Sequence, residues 1–233
     1  MGGAGARAMV VIEATRPQTA TDQVFDMLYR QVMTLELPPG SRLSEAETAR
    51  ALGVSRQPVR DAFWRLAQLG FLLVRPQRAT VVSPISEAAV RQARFIRTAL
   101  EIETIRVAAD LLTVDDHADL KGLLGAQAAA VAAGDRERFH ALDDEFHRQI
   151  CRRSSLEFTW SLIRENKAHM DRVRYLSLES GAEIALDEHR AILARLEARD
   201  AAGAIAVMRA HLGRIEVILG EIRREHADYF ADT

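Results

Sequence analysis

The residues with the clearest chemical potential are an aspartate and three histidines in the second half of the chain. Asp143 and His147 are four residues apart, and in a helix that spacing places a carboxylate and an imidazole on one face. His189 and His211 lie in later segments with helical patterning. In a bundle of facing helices the four side chains can converge on the interior. Such a set suits Zn²⁺, Ni²⁺, Mn²⁺ or Fe²⁺ rather than Ca²⁺.

Spacing alone leaves this site open, because only Asp143 and His147 are close in sequence. A single histidine on a helix is more often a surface residue than a ligand. His140 shares the helix face of His147 and is the one competitor, although a surface role is expected for it. Asp144 and Glu145 are expected to face solvent. Histidines interpreted as ordinary surface or core residues are His117, His169 and His226.

A second candidate site is cationic and lies nearer the N-terminus. Between residues 56 and 78 there are five arginines and one acidic residue, Asp61, an excess that favours phosphate. Arginine and glutamine side chains can also recognise base edges through paired hydrogen bonds. The predicted DNA-contacting residues are Ser55, Arg56, Gln57, Pro58, Arg60, Arg50, Arg75, Arg78 and Thr80.

The elements around these cations have the pattern of a winged helix-turn-helix. Ser44 and Glu47 form a predicted capping box, and Gly53 supplies a left-handed stop. Ser55 is expected to cap the next helix, whose first turn contains Pro58. Strands over 71–74 and 80–82 then flank a basic wing tip. A preceding helix, starting at position 21 or 22, completes this unit.

Some residues of this unit keep two interpretations. Trp64 either packs against the second domain or a partner subunit, or belongs to the local core. Arg42 either contacts phosphate or lies on a plain surface. The arginines could also be ordinary solvated residues, or the unit a protein-interaction module, but caps, turn, helix and wing agree on DNA binding.

Composition bounds the remaining possibilities. The chain has 233 residues, 48% hydrophobic and 27% charged, with a formal net charge of −2. Residues 17–84 contain eight arginines and six acids, whereas residues 85–233 contain 21 basic and 26 acidic residues. Cys151 is the single cysteine, so an intramolecular disulfide is excluded and a reducing compartment fits. No run approaches the ~20 apolar residues of a membrane span, and no signal peptide is evident. A cytoplasmic protein without membrane contact is expected.

The predicted fold is mainly α. A flexible tail (1–16) precedes the winged helix-turn-helix (17–84), and an all-α antiparallel bundle of six or seven helices occupies 85–230. The first bundle helix, from Ser86 to about 112, is predicted in two pieces. Later helices are predicted over about 113–133, 136–151, 155–177 and 181–199, with a last one from Asp200.

The N-terminal unit resembles the GntR family of bacterial transcription regulators. The resemblance is carried by Leu43-Ser44-Glu45, Leu52-Gly53-Val54-Ser55-Arg56-Gln57-Pro58-Val59-Arg60-Asp61-Ala62, Leu66, Leu69-Gly70-Phe71 and Arg75-Pro76-Gln77-Arg78. Two positions depart from the family pattern. Ala46 stands where an arginine is usual, which removes one expected contact, and Ala79 stands where the wing tip usually has glycine, which alters the loop.

The C-terminal part resembles the FCD domain, the all-helical effector domain of the FadR-type members. Its motifs are Asp143-x-x-Phe146-His147, Glu188-His189-Arg190-x-Ile192 and Met208-x-x-His211-Leu212. The resemblance implies that Asp143, His147, His189 and His211 bind a metal ion, with Zn²⁺ or Ni²⁺ favoured, beside an effector pocket. Arg97 matches a cavity arginine, although an ion pair with Glu101, four residues on, is its alternative. Arg172 is the second predicted effector ligand, whereas most of the charge run with Lys167 and Arg174 is expected to be solvated.

The resemblance implies a homodimeric regulator that binds a palindromic operator and responds to a small carboxylate, such as a sugar acid or an organic acid. Repression is the family's common mode. The alternative from another class is a metal-dependent, hydrolase-like enzyme with a DNA-binding appendage. The sequence lacks a His-Glu-x-x-His motif, a Gly-x-Ser-x-Gly motif and a Gly-rich phosphate loop, so a protein that is not an enzyme is expected.

Overall fold

The computed structural model describes residues 18–74 and 79–231, with the backbone alone at 178–180. The predicted tail (1–16) and two predicted DNA contacts, Arg75 and Arg78, lie outside the described residues. Within the described ranges there are nine α-helices and three short strands. The mainly α fold class, with a helical region after the winged helix, is confirmed.

The N-terminal unit contains three helices and a small antiparallel sheet. Its elements are α1 (Ala20–Met33), β1 (Arg42–Leu43), α2 (Glu45–Leu52), α3 (Arg56–Gln68), β2 (Leu72–Leu73) and β3 (Thr80–Val82). The strand order is β1-β3-β2, so the wing gains a strand, β1, that the sequence pattern did not predict. The apolar faces of α1 and α3 meet in one core, whose side chains include Val24, Leu28, Val32, Val59, Ala62, Phe63 and Leu66.

The caps explain where these helices begin and end. Ser44 Oγ accepts the Glu47 N–H at 3.4 Å, and Gly53, with φ 65°, ends α2. Helix α1 begins earlier than predicted, because Thr19 rather than residue 21 or 22 is its cap. Ser55 precedes α3 as predicted, but its side chain makes no capping hydrogen bond. The Ser55 hydroxyl is therefore left exposed at the start of α3.

The C-terminal unit is entirely helical in the described residues. Its helices are α4 (Glu87–Leu111), α5 (Val114–Ala133), α6 (Arg136–Arg153), α7 (Glu157–Glu197), α8 (Ala201–Gly213) and α9 (Ile215–Glu225), followed by a 3₁₀ turn (Ala227–Tyr229). Helix α7 contacts α4, α5, α6, α8 and α9, and also α1 of the N-terminal unit. It is therefore the central element of this unit.

Three helix predictions were wrong. Helix α4 is continuous rather than divided. The two helices predicted on either side of Gly181 are one helix of 41 residues. A glycine inside a helix costs only about 1 kcal/mol relative to alanine, which the packing of α7 on its neighbouring helices can offset. Conversely, the helix predicted from Asp200 is interrupted at Arg214, between α8 and α9.

Within the described ranges, no helix combines the length and the apolar character that crossing a membrane requires.

Candidate metal centre and nucleic-acid interface

The structure brings the four predicted metal ligands together. Asp143 and His147 project from α6, His189 from α7 and His211 from α8, and all four side chains are buried. One potential ligand atom from each lies within 4.8 Å of those of the other three. Helix packing thus supplies the convergence that spacing could not establish.

Each of the three histidines directs its Nδ1 atom to an oxygen of a neighbouring side chain. The pairs are His147 with Glu101 Oε2, His189 with Gln127 Oε1 at 2.9 Å, and His211 with Glu188 Oε2 at 2.8 Å. Partners of this kind fix the ring orientation and leave Nε2 for an ion. These three partners were not predicted as site residues. Each lies on a different helix from the histidine that it contacts, so only helix packing brings the two side chains together.

Among the described residues, several buried atoms of this cluster have no hydrogen-bond partner. They are Asp143 Oδ1, His189 Nε2 and both ring nitrogens of His147, whose Nδ1 contacts Glu101 outside hydrogen-bonding geometry. Buried polar atoms are rarely left unpaired in folded proteins. An oxygen and imidazole nitrogens that converge in this way form a donor set that fits a divalent transition metal ion.

The protonation states also fit ligation. Burial alone would raise the pKa of Asp143, but the adjacent Arg174 guanidinium holds it well below its usual value. Burial lowers the pKa of both His189 and His211. Asp143 is therefore an anion and both imidazoles are neutral at neutral pH, which are the forms that bind metal ions.

The position of Arg97 is compatible with both of its predicted interpretations, of which the ion pair with Glu101 is present. Arg97 is buried and its Nε atom contacts Glu101, while its side chain also lines a cavity of about 50 Å³ next to His211 and Arg174. Its Nη2 atom is buried without a hydrogen-bond partner. Burial alone would raise the pKa of Glu101, but Arg97 and His147 lower it. One guanidinium edge therefore anchors Glu101 and the other is free to bind an anion.

The expectation that the charge run of α7 is a solvated face was wrong. Lys167, Arg172 and Arg174 are buried or nearly so, because α6 and the N-terminal unit cover this part of α7. Arg174 contacts Asp143 Oδ2 and lines the 50 Å³ cavity. Arg172 instead donates to the carbonyl oxygen of Ser83 at 3.1 Å and is not among the residues lining that cavity. Its position therefore does not support the predicted effector contact.

His140 belongs to a different group. Its Nε2 atom lies 3.7 Å from Asp171 Oδ1, and with Asp144 these residues form a second set of possible ligands. The Lys167 ammonium lies 2.8 Å from Asp144 and also contacts Asp171. Asp144 is therefore ion-paired rather than solvated, and a built-in cation already neutralises the carboxylates of this set.

The predicted DNA-contacting side chains lie on the surface of α3 and its neighbours. Arg56, Gln57 and Arg60 are exposed. Gln57 Nε2 donates to Asp61 at 2.8 Å, and Arg60 Nε lies 3.2 Å from Glu45. These exposed contacts are weak and can be exchanged for DNA. Of the other predicted contacts described, Arg50 and Ser55 are exposed, and Pro58 and Thr80 are partly exposed.

Trp64 lies on the same helix, one turn after Arg60. Its side chain is 63% exposed, which excludes the local-core interpretation. Together with Arg60, Leu73 and Val74 it lines a shallow surface groove. The same exposure argues against packing on the second domain, so contact with a partner subunit stays a prediction.

Comparisons with known proteins agree on one family. Residues 20–82 match the family described as "Bacterial regulatory proteins, gntR family", and residues 92–214 match the FCD domain. The chain is 36% identical to the "HTH-type transcriptional repressor RspR" of Escherichia coli strain K12, over 92% of this chain and 95% of that protein. It is 34% identical to the "Probable D-xylose utilization operon transcriptional repressor" of Paenarthrobacter nicotinovorans, over 78% and 80%. The solved structure of E. coli McbR/YncC is similar, with a TM-score of 0.73 and 26% identity over 88% of this chain and 99% of that one.

Proposed function

The chain belongs to the gntR family of bacterial regulatory proteins and carries an FCD domain, and we propose that it is a cytoplasmic repressor. The affinity of this repressor for its operator would be set by a small carboxylate bound beside a metal ion. The observation that carries the proposal is the buried group of Asp143, His147, His189 and His211, whose ligand atoms lie within 4.8 Å of one another. Membership of the family makes the chain a transcription regulator; the ion, the effector and the repressing action are the proposed part.

Duplex DNA is the proposed partner of the N-terminal unit. Helix α3 would enter the major groove with Arg56, Gln57 and Arg60, while the Ser55 hydroxyl would contact phosphate. A homodimer would place two such helices on the halves of a palindromic operator. The exposed contacts of Gln57 with Asp61 and of Arg60 with Glu45 would be exchanged for contacts with DNA.

Asp143, His147, His189 and His211 would hold the ion, with Zn²⁺ or Ni²⁺ favoured by the three imidazoles. When bound, the ion would supply a fixed positive charge that attracts a carboxylate. Glu101, Gln127 and Glu188 would hold the histidine rings in place through Nδ1. Arg174 would hold one oxygen of Asp143 and leave Oδ1 facing the histidines.

The effector would enter the cavity that Arg97 lines. The unpaired Nη2 atom of Arg97 supplies a buried donor for a carboxylate oxygen, and a charge-assisted hydrogen bond of this kind is strong. At roughly 10–15 Å³ per water site, the cavity of about 50 Å³ holds about four waters. This volume favours a small organic acid, and a sugar acid would require the cavity to widen.

The metalloenzyme alternative is not favoured. The relatives that the chain matches over most of its length are named as regulators and repressors. A protein-interaction module is not favoured either, because the exposed start of α3 carries the arginines and the glutamine suited to bases, and the exposed Trp64 lies one turn further on.

Replacing Arg60 by alanine is expected to weaken operator-specific binding by about 1–3 kcal/mol, the value of one good base contact. The experiment is a fluorescence-anisotropy titration of duplex DNA that the wild-type protein has selected from a random pool. Arg106→Ala, which removes an exposed arginine paired with Glu103 on α4, is the control. Undiminished preference for the selected DNA over random duplex in Arg60→Ala would contradict the groove assignment.

Replacing Gly181 by methionine is expected to close the effector cavity without affecting the metal ligands. Gly181 lines the cavity, and a Cβ atom there would lie 3.8 Å from Arg214 and Ser177, an ordinary contact distance. Gly181→Ala should therefore be tolerated, while the longer side chain should occupy the cavity. We expect acid binding, measured by calorimetry on Zn²⁺-loaded protein, to weaken more than about tenfold in Gly181→Met. Equal acid binding by both variants and wild type would place the effector elsewhere.

A further inference from the structure

The junction between the two units contains a buried cation with no acidic partner. Arg172 is 0% exposed, and its one described hydrogen bond runs from Nη2 to the carbonyl oxygen of Ser83. Its Nε and Nη1 atoms are buried and have no hydrogen-bond partner among the described residues. The Phe71 ring lies 5.9 Å from the guanidinium carbon, which offers only a weak attraction at that distance.

The charge on Arg172 persists despite its burial. Burial lowers the pKa of the guanidinium to about 10, so the group remains protonated at neutral pH. No carboxylate among the described side chains forms an ion pair with it. A buried charge without a counter-charge is strongly unfavourable. Lys167 and Arg174, its neighbours on α7, both have carboxylate partners. Arg172 thus differs from these two neighbouring cations.

A second unpaired donor lies at the same place. Ser83 is 5% exposed, and within the part of the chain that the structure describes its hydroxyl has no hydrogen-bond partner. The Ser83 carbonyl accepts from Arg172, and its N–H donates to the Phe71 carbonyl at 2.9 Å. Arg172 and Ser83 are therefore in direct contact, and each has a donor, the guanidinium N–H groups or the hydroxyl, that makes no described hydrogen bond.

His169, on α7, lies at the edge of this junction next to the end of α3. Its ring packs on Phe71 with centroids 4.6 Å apart, and its Nε2 atom lies 3.0 Å from the Leu69 carbonyl oxygen at the end of α3. Since a carbonyl only accepts, Nε2 must carry the proton, and in the neutral ring Nδ1 is an acceptor. His169 therefore helps to enclose the junction but supplies no donor for an anion.

From these contacts we propose that the junction is a site for a small monovalent anion, either a halide or a carboxylate of formate size, bound by Arg172 Nε or Nη1 and the Ser83 hydroxyl. The site is separate from the effector cavity, whose lining includes Arg97 and Arg174 but not Arg172. Such an anion would neutralise the buried guanidinium and stabilise the docking of the N-terminal unit on α7. Because His169 contacts the end of α3 at this junction, a bound anion would also affect the position of α3, the helix that we propose enters the major groove of DNA.

The test replaces one anion of the buffer by another at constant ionic strength. Full-length protein is held in the sodium salt of a bulky sulfonate, which is replaced stepwise by chloride, bromide or formate while Tm is measured. Wild type should gain about 2–6 °C over the titration, as expected for a ligand of the folded state. The three salts distinguish a halide site from a carboxylate site. Arg172→Met should lose this response, and its Tm in the sulfonate salt should be at least that of wild type.

Matched variants locate the response. Arg190→Met, on the exposed face of α7, should respond as wild type does. Gly181→Met, which fills the effector cavity without removing a charge, should also keep the response. An anion response that survives in Arg172→Met, or disappears in Gly181→Met, would overturn the proposal whether or not the metal and effector sites are correct.

A structural measurement keeps the proposal testable if Arg172→Met does not fold. Crystals of wild-type protein grown with bromide should show an anomalous peak within hydrogen-bonding distance of the Arg172 guanidinium and Ser83 Oγ. Ser83→Ala should reduce its occupancy. A junction filled by water alone, with bromide absent or present only in the effector cavity, would overturn the proposal.

Discussion

Replacing Arg174 by methionine is expected to destabilise the metal-free protein by about 3–5 kcal/mol, the usual cost of breaking a buried ion pair on one side. Arg174 contacts Asp143, which is 0% exposed, and also lies 3.5 Å from Asp171. Without the guanidinium, the Asp143 carboxylate keeps its burial but loses its main counter-charge. Urea denaturation of EDTA-treated protein at neutral pH measures the effect. Added Zn²⁺ should restore part of the loss.

The pH dependence of this effect has a definite sign. In the wild type the pKa of Asp143 is depressed, so its contribution is present above the unfolded-state pKa and is lost as pH falls through the folded-state value. In Arg174→Met burial dominates and raises that pKa, so protonation relieves the buried charge. The stability gap between the two proteins should therefore narrow as pH falls from 7 towards 5.

Arg190→Met is the control for Arg174→Met, because Arg190 lies on the same helix in an exposed pair with Asp187, 2.8 Å away. Its effect should stay within about 0.5 kcal/mol. If the free energy of unfolding of metal-free Arg174→Met also fell by less than about 1 kcal/mol, the ion pair with Asp143 would not stabilise the protein as its burial indicates.

Replacing His189 by alanine is expected to weaken metal binding more than about 100-fold, beyond the 10–100-fold that losing an outer partner of a ligand costs. His189 is fully buried and neutral, so its removal leaves no unpaired charge and the protein should still fold. Chelator competition gives the affinity, and elemental analysis of purified protein gives the content. Circular dichroism checks the fold.

His140→Ala is the matched control for His189→Ala, since it removes the one competing histidine on α6. It should leave metal affinity unchanged, because Lys167 already neutralises the carboxylates near His140. If His189→Ala bound the ion stoichiometrically and as tightly as wild type, His189 would not be a ligand.

Features of this fold that depend on a few neighbouring residues could be predicted from the sequence, whereas features that depend on packing between distant segments could not. The cap at Ser44, the stop at Gly53 and the start of α3 after Ser55 are encoded within a few residues, and they were predicted. The division of the long helical stretches was not, because Gly181 resembles a helix end in sequence while packing on the neighbouring helices keeps α7 intact. Strand β1 was missed because two residues carry no periodicity.

The candidate site shows the same limit. Asp143 and His147 share a helix face, and a resemblance to known motifs was needed to add His189 and His211. Glu101 and Arg174 were not assigned to the site, because a charged residue on a helix is usually solvated. Only the packing of α4 and α7 against α6 shows that these two charges are buried against His147 and Asp143. A run of charges predicts a solvated face only where no other element covers it.

If occupancy of the buried site controls DNA binding, the affinities for the acid and for DNA must change together, and measuring both is the decisive experiment. The dissociation constant for selected duplex DNA is measured with Zn²⁺-loaded protein, with and without an acid found by thermal-shift screening. The acid should weaken DNA binding by about 5–150-fold, and DNA should weaken acid binding by the same factor. His189→Ala should abolish both effects. DNA affinity that is independent of the acid, although the acid binds the Zn²⁺-loaded protein, would contradict the account.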